Sequence, residues 1–196
     1  MPKLSQRAFK KLQKIVGKKN CTNAPEDLVC YAYDATAARF LPEAVIFPET
    51  KEQVSRVMAL ADRERFAVIP RGSGSGMTGG SLAVKGGVVM ALVKLNRIID
   101  IDAENMTARV EPGLITGKFQ KTVESMGLFY PPDPSSSDFS TIGGNVAECA
   151  GGPRAIKYGV TRDYVLGLEA VLPSGKMIRT GVNTTKGVVG YDLTRL

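Results

Sequence analysis

The sequence predicts an α+β fold of two lobes, a small lobe built on parallel strands and a larger lobe built mainly on antiparallel strands. In the first part of the chain, apolar segments of strand length flank a helical pattern across residues 44–69, which is typical of a parallel strand–helix–strand unit. In the second part, short strand patterns alternate with turn residues, which is typical of antiparallel hairpins. A length of 196 residues suffices for one domain or two small packed lobes.

The first predicted element is an amphipathic helix over residues 3–17. Leu4, Ala8, Leu12 and Ile15 recur at intervals of three and four residues, so they share one face of a helix. Residues 1–19 contain seven lysines and arginines and no acidic residue, and they account for the whole net charge of +7. We expect the apolar face to pack on the domain, with contact to a membrane surface or an acidic partner as the alternative.

The body of the chain is electrically balanced once that helix is set aside. A nucleic-acid-binding domain is expected to carry its basic surface within the folded body, so no nucleic-acid partner is predicted. Residues 1–43 are predicted as the basic helix and an irregular lead-in that includes residues 25–40. A small lobe over residues 44–95 follows, with strands at 44–47, 67–69 and 88–92 and a helix at 51–65.

The larger lobe is predicted over residues 96–196. Thr116 is expected to cap a helix that Gly127 stops, and Pro173-Ser174-Gly175-Lys176 has the residues of a tight hairpin turn. The predicted strands are 98–102, 107–111, 166–172 and 177–180, and the predicted helix is 116–126.

Three counts exclude whole classes of protein. The chain has no histidine, so it offers no histidine-assisted nucleophile and no histidine zinc site. No apolar run approaches the roughly 18 residues needed to span a bilayer, and the basic beginning lacks the apolar core of a secretory signal. Three cysteines at irregular spacing fit free thiols in a reducing compartment, so a cytoplasmic location is expected.

Residues 70–80 form the first glycine-rich segment, which directly follows a predicted strand. Its five glycines remove side-chain bulk and let successive backbone N–H groups converge on an anion. Ser73 and Ser75 add hydroxyl donors, and Arg71 adds a positive charge. This composition suits a diphosphate, although a flexible surface loop would also be rich in glycine.

The same segment contains a G-x-G-x-x-G pattern at Gly74, Gly76 and Gly79. In a nicotinamide-binding Rossmann unit a helix must begin within these glycines and point its amino terminus at the pyrophosphate. Residues 80–87 leave too little room for a helix before the next strand. The pattern is therefore interpreted as a consequence of glycine density.

Residues 131–159 form the second glycine-rich segment. Pro131, Pro132 and Pro134 restrict the approach of the chain, and a glycine-rich loop is expected to run over residues 142–159. Two separate segments that tolerate an anion predict a long ligand with phosphate in its middle. FAD has that shape.

These segments carry a family resemblance that covers nearly the whole chain, in order. The motifs are residues 70–80, Val110-Glu111-Pro112-Gly113, Thr141-Ile142-Gly143-Gly144-Asn145, Ala150-Gly151-Gly152, Lys157-Tyr158-Gly159 and Gly190-Tyr191-Asp192-Leu193. With them the chain resembles the flavin subunit of glycolate oxidase and related FAD-linked D-2-hydroxyacid dehydrogenases, D-lactate dehydrogenases among them. The resemblance implies the FAD-binding fold of the vanillyl-alcohol oxidase type over residues 44–196.

The resemblance also implies a function and a set of site residues. It implies that FAD accepts a hydride from a small 2-hydroxy acid of the glycolate or D-lactate type. The pyrophosphate would be held by Arg71, Gly72, Ser73, Gly74, Ser75, Gly76 and Gly79. The ribityl and isoalloxazine side would be lined by Pro134, Thr141, Ile142, Gly143, Gly144, Asn145, Ala147, Gly151, Gly152, Tyr158 and Gly159.

Departures from the family pattern limit what this chain is expected to do alone. Relatives continue into a further flavin-contacting segment and a substrate domain with the metal site and catalytic histidine, so neither a metal site nor a catalytic base is expected here. Without histidine the flavin is expected to be noncovalent, with a link through cysteine as the alternative. Cys149 stands where relatives often have asparagine. Arg39, Arg154 or Lys186 could hold an anionic group.

Two alternatives to this function stay open. The first is a non-catalytic flavin-fold fragment or assembly subunit that docks on a partner chain, in a hetero- or homo-oligomer. The second keeps the fold but takes electrons from NADPH.

Overall fold

The computed structural model describes residues 3–182 and 190–195. Its first lobe contains a four-stranded sheet of spatial order β1-β2-β4-β3. The central strand β4 is parallel to both β2 and β3, and β1 is antiparallel to β2. The predicted parallel unit is confirmed, with β4 inserted between its two strands. The strands are β1 (Cys21–Thr22), β2 (Ala44–Ile46), β3 (Val68–Arg71) and β4 (Val88–Ala91).

Helices α1 (Gln6–Val16) and α3 (Lys51–Glu64) pack against each other and contribute to one core with this sheet. Ser5 caps α1 by accepting a hydrogen bond from the Ala8 N–H, and Thr50 caps α3 in the same way. Leu12 is fully buried, so the predicted packing of the α1 apolar face is confirmed. The segment before residue 44 therefore contributes both a helix and a strand to the core.

The lead-in is less irregular than predicted. Residues 25–40, expected to be irregular, contain the short helix α2 (Pro25–Val29). Pro25 occupies its first turn and two acidic residues follow, a pattern that favours a helix start. Five residues are too few to reveal a helical period, and the two residues of β1 are too few to reveal a strand.

The larger lobe contains the hairpin of β5 (Ile98–Asp102) and β6 (Thr107–Val110), followed by α4 (Thr116–Glu124). Leu114, Phe119 and Val123 form its buried core. The predicted cap is wrong: Ile115 occupies the cap position without a side-chain bond. Thr116 is the first helical residue, and its hydroxyl instead contacts Ser140.

A second hairpin, β7 (Gly167–Val171) and β8 (Met177–Gly181), returns to the small lobe. Its turn contains Gly175 at φ 84°, as the turn residues predict. The Ser55 hydroxyl on α3 donates to the Gly175 carbonyl at 2.7 Å. A Cβ at this glycine would lie 2.7 Å from the Cβ of Ala59, so the turn packs directly on α3.

Three further observations bear on the predicted exclusions. Among the described residues, no helix is long and apolar enough to cross a membrane. The same residues contain no group of three or more acidic or cysteine side chains placed to hold a metal ion. Cys21, Cys30 and Cys149 are all free thiols, and burial raises the pKa of Cys21 to about 12.

Candidate FAD-binding site

The first glycine-rich segment begins at the end of β3 and reaches β4 without a helix. The interpretation of the G-x-G-x-x-G pattern is therefore confirmed, because a Rossmann site needs a helix at this point. Gly74 and Gly79 adopt φ values of 73° and 78°, which favour glycine over residues with a Cβ. The backbone here is an irregular turn that only a glycine-rich sequence can follow.

The backbone N–H groups from Ser73 to Met77 are the main uncommitted donors of this segment. Within residues 3–182 and 190–195, none of them has a hydrogen-bond acceptor, and all five residues are at least partly exposed. A Cβ at Gly76 would meet nothing closer than the Glu148 carboxyl carbon at 4.0 Å. A run of free donors with open space beside it fits the diphosphate of FAD.

The second glycine-rich segment is not the continuous loop that was predicted. It contains α5 (Ile142–Glu148) and the single turn α6 (Ala155–Tyr158). Thr141 caps α5, because its Oγ1 accepts a hydrogen bond from the Gly144 N–H at 3.2 Å. Gly143 allows close packing, since a Cβ there would lie 2.5 Å from the Cβ of Pro112.

The structure brings the two segments into direct contact. A Cβ at Gly72 would lie 2.3 Å from Thr141 Oγ1, so glycine is needed for this approach. The Ser73 hydroxyl donates to the Phe139 carbonyl, and the Thr78 hydroxyl donates to the Glu148 carboxylate at 2.9 Å. The two glycine-rich segments are therefore adjacent in the fold.

Asn145 is a predicted site residue whose side chain lies in the interior. It is buried, and its amide Nδ2 donates to Thr116 Oγ1 at 2.7 Å. The same Thr116 oxygen lies 2.9 Å from the Ser140 hydroxyl. This buried polar cluster fixes α5 against the start of α4, so Asn145 positions the segment from behind.

At the far end of the second segment, Gly152 packs against Asp133. A Cβ at Gly152 would lie 2.2 Å from the Asp133 carbonyl oxygen. The Asp133 carboxylate accepts a hydrogen bond from the Arg154 backbone N–H at 3.1 Å. It also forms an ion pair with the Arg154 guanidinium, with 3.3 Å between Oδ2 and Nε. Of the other predicted residues, Ala147 and Tyr158 are exposed, and Pro134, Ile142, Gly143, Gly144, Gly151 and Gly159 are half-buried.

The three cations that could hold an anionic group have different surroundings. Arg39 is exposed, and Arg154 is paired with Asp133. Lys186 lies outside the described residues. Arg154 therefore has a partner already, and its freedom to hold another anion is reduced.

Arg71 lies beneath the first segment, not on its surface. Only 5% of it is exposed, and its Nη1 donates to Ser81 Oγ at 3.2 Å. Its guanidinium carbon lies 5.7 Å from the ring centre of Tyr31. Burial lowers the pKa of Arg71, while the nearby Asp34 charge raises it. Tyr31, Asp34 and Ser81 were not among the predicted site residues, because none of them lies in a recognisable motif.

Comparison with known proteins places these segments in a family. A family model described as an FAD binding domain matches residues 42–181. Over 186 residues the chain is 48% identical to glycolate oxidase subunit GlcD of Bacillus subtilis (strain 168), covering 94% of this chain and 40% of the relative. Over 155 residues it is 39% identical to D-lactate dehydrogenase of Anaerostipes hadrus, covering 79% of this chain and 32% of the relative.

A solved structure agrees with the fold. The crystal structure of p-cresol methylhydroxylase with substrate bound superposes with a TM-score of 0.79 at 26% identity, covering 98% of this chain and 38% of that chain. The α+β architecture is thus the FAD-binding fold of the vanillyl-alcohol oxidase type. The chain belongs to the FAD binding domain family, as a homologue of the FAD-binding region of glycolate oxidase subunit GlcD and D-lactate dehydrogenases.

Proposed function

We propose that this chain binds FAD noncovalently along the surface where its two glycine-rich segments meet. The diphosphate lies against the free N–H groups from Ser73 to Met77, and the ribityl chain and isoalloxazine follow residues 141–159. The observation that carries this proposal is the run of uncommitted, accessible donors beside an open glycine. Because these donors are backbone groups, they bind an anion without a large positive charge.

The reaction proposed for the whole protein is the oxidation of a small 2-hydroxy acid. Relatives named glycolate oxidase and D-lactate dehydrogenase support this substrate class. FAD would be the hydride acceptor in this oxidation, and the hydroxyl proton would pass to a base or to solvent. This chain spans 40% or less of the length of these relatives, so its proposed task is to bind and orient the flavin.

Replacing Gly76 by alanine tests the binding site. Open space around this glycine should let the fold accept the methyl group, while the added bulk faces the bound diphosphate. We expect Gly76→Ala to weaken FAD binding by roughly tenfold or more, since close backbone approach is lost. The measurement is titration of flavin absorbance and fluorescence, with circular dichroism as the check on folding.

Gly127→Asn is the matched control. Gly127 has φ 76° and nothing within 4 Å, and asparagine tolerates this backbone angle. The control should bind FAD as the wild type does. Equal affinity in Gly76→Ala and wild type would contradict the proposed diphosphate position, and a wild type that retains no flavin after desalting would contradict FAD binding itself.

The substrate class is tested on the protein that carries the remaining family segments. Steady-state assays compare glycolate, D-lactate and NADPH as electron donors. We expect turnover with one of the hydroxy acids. Turnover with NADPH alone would assign the chain to a flavin reductase instead.

Exposed apolar side chains favour a docking role as a second candidate. Ile156 and Tyr191 are almost fully exposed, and Leu193 and Val182 are about half exposed. We propose that these side chains form one apolar surface, since such a surface is typical of a contact with another domain or subunit. We propose that the rest of a longer protein or a partner subunit covers it. Native mass measurement with and without FAD separates the two roles, because a flavin-free oligomer would favour docking.

We also propose a cytoplasmic location with the basic face of α1 against an anionic membrane. Arg7, Lys10 and Lys14 are exposed while the apolar face of α1 is buried, so the contact would be electrostatic. Each basic residue near an anionic surface contributes about 1 kcal/mol.

Changing Arg7, Lys10 and Lys14 to glutamine should reduce sedimentation with phosphatidylserine vesicles by at least about tenfold. Matched changes at Lys118, Lys121 and Lys176 should have little effect, and an equal loss in both variants would contradict the proposed surface.

A further inference from the structure

Asp34 is a buried carboxylate with an incomplete set of hydrogen bonds. Only 7% of the residue is exposed. Its Oδ1 accepts from the Thr36 backbone N–H at 2.8 Å and from the Thr36 hydroxyl at 2.6 Å. Its Oδ2 is buried and has no hydrogen-bond partner among the described residues. An unsatisfied buried carboxylate oxygen costs stability, so a compensating role is expected.

Hydrogen-bond donors and the positive charge of Arg71 favour the ionised form of Asp34. Burial raises its pKa, but the hydrogen bonds from Thr36 and the charge of Arg71 outweigh burial and hold the pKa below its usual range. The Gly79 N–H also lowers this pKa, without completing a hydrogen bond to the carboxylate. Asp34 is therefore a buried negative charge next to the first glycine-rich segment, where an anionic ligand is proposed to bind.

The turn that carries Asp34 supports that segment at two points. The Ala35 N–H donates to the Gly76 carbonyl at 3.2 Å, which fixes the glycine beside the free donors. Arg71, whose pKa the nearby Asp34 charge raises, lies beside Gly74. A Cβ at Gly74 would lie 2.1 Å from the Arg71 guanidinium Nη2, so this side chain supports the loop from below.

We propose that Asp34 is a positioning residue for the diphosphate loop. Its turn fixes Gly76 through the Ala35 N–H, and its negative charge attracts the Arg71 guanidinium that lies beside Gly74, so that both interactions keep the N–H groups from Ser73 to Met77 in place. The inference rests on the proposed FAD site. A positioning role for Asp34 predicts a change in anion affinity opposite in sign to the change that simple electrostatics predicts. Removing a negative charge beside an anion site should strengthen anion binding, whereas loss of a positioning residue should weaken it.

A double-substitution cycle tests this inference with FAD and with ADP, which carries the same diphosphate. Asp34→Asn is expected to raise both dissociation constants by the same factor, roughly tenfold. Arg71→Met is expected to raise both dissociation constants to a similar extent. The double variant should bind each ligand no more weakly than the single variant with the lower affinity. The affinities are measured by fluorescence titration and competition on samples whose circular dichroism matches that of the wild type.

Asp102→Asn is the matched control. Asp102 also accepts two hydrogen bonds from a neighbouring turn residue, Asn105, but it lies outside both glycine-rich segments. It should leave both dissociation constants unchanged. Thr36→Val gives a second route if Asp34→Asn fails to fold, because it removes one donor to Asp34 without changing any charge. It should weaken FAD binding by about threefold.

Three results would overturn the inference. The first is unchanged or tighter binding of FAD and ADP in Asp34→Asn. The second, where Asp34→Asn fails to fold, is unchanged FAD binding in Thr36→Val. The third is a double variant in which the changes that Asp34→Asn and Arg71→Met cause in the dissociation constants multiply. A wild type that binds no FAD would instead remove the proposed function, so the two failures are distinguishable.

Discussion

Cys149 adopts a left-handed backbone, with φ 49° and ψ 51°, at the end of α5. This conformation is unfavourable for a residue with a Cβ by about 1–2 kcal/mol, and glycine adopts it freely. Cys149→Gly should therefore raise the free energy of unfolding by about 0.5–1 kcal/mol, measured by urea denaturation. The position follows Glu148, which contacts the first glycine-rich segment, so a stable turn here also supports the site.

The same substitution at Cys30 is the control. Cys30 ends α2 with φ −65°, where glycine gains no relief of strain and loses conformational entropy. Cys30→Gly should lower the free energy of unfolding by about 0.5–1 kcal/mol. Equal effects of both substitutions would contradict the backbone explanation.

Individual residues were predicted unevenly from the sequence. The glycines at positions 72–79 could be predicted, because only glycine combines a left-handed backbone with close approach. The burial of Arg71 and Asn145 could not be, because it depends on Tyr31 and Thr116, which are distant in sequence. Residue types alone therefore predicted the two segments of the proposed site but not the side chains that support them.

At the scale of elements, α5 shows where periodicity fails. Adjacent glycines have low helix propensity, so the sequence predicted a loop over residues 142–159. The helix forms because Thr141 caps it and because Gly143 packs against Pro112. By contrast, α3 and the β7–β8 hairpin were predicted well, since each has a clear apolar period or turn signal.

The two glycines of α5 give a paired prediction. A methyl group at Gly143 would meet the Pro112 Cβ at 2.5 Å and its carbonyl oxygen at 2.9 Å, so Gly143→Ala should cost about 1–3 kcal/mol of unfolding free energy. At Gly144 the nearest atom is the Thr141 hydroxyl at 3.2 Å, which can shift slightly. Gly144→Ala should stay within about 1 kcal/mol of wild type, because alanine favours the helix. Thermal and urea unfolding measure both, and equal losses would contradict this packing.

At the scale of the whole molecule, the acid dependence of stability includes a contribution from Glu111, which closes the base of the β5–β6 hairpin with Arg97. The Glu111 carboxylate accepts a hydrogen bond from the Arg97 backbone N–H at 2.8 Å and another from the Arg97 guanidinium Nη2 at 2.7 Å. Burial raises the pKa of Glu111, but the bonds from Arg97 outweigh it and hold the pKa below the ordinary 4.5. A lowered pKa means that this interaction stabilises the fold above that value and is lost as the pH falls through the folded-state pKa.

Glu111→Gln should therefore remove part of the acid dependence of stability. The variant is expected to be less stable than wild type at neutral pH, with a difference that shrinks as the pH falls below 4.5 and through the lowered folded-state pKa. Urea unfolding at a series of pH values measures this. A constant difference at every pH would contradict the contribution of the ionised carboxylate.

The two-lobed architecture was predicted from the sequence, which also confines the net charge to residues 1–19. So was a shared ligand for the two glycine-rich segments, because each has the composition of an anion-tolerant loop. Their direct contact through Gly72 and Thr141 could not be predicted, since it depends on how the lobes pack. The same limit applies to Asp34, since its proposed role depends on the contact of its turn with the first glycine-rich segment in the folded chain.

Hydrogen exchange with and without FAD tests the proposed binding site most directly. We expect FAD to slow exchange of the backbone N–H groups from Ser73 to Met77, which have no acceptor among the described residues. We also expect slower exchange in residues 141–152 and little change in α1. FAD binding that leaves residues 73–77 unprotected, or no binding at all, would contradict the central claim.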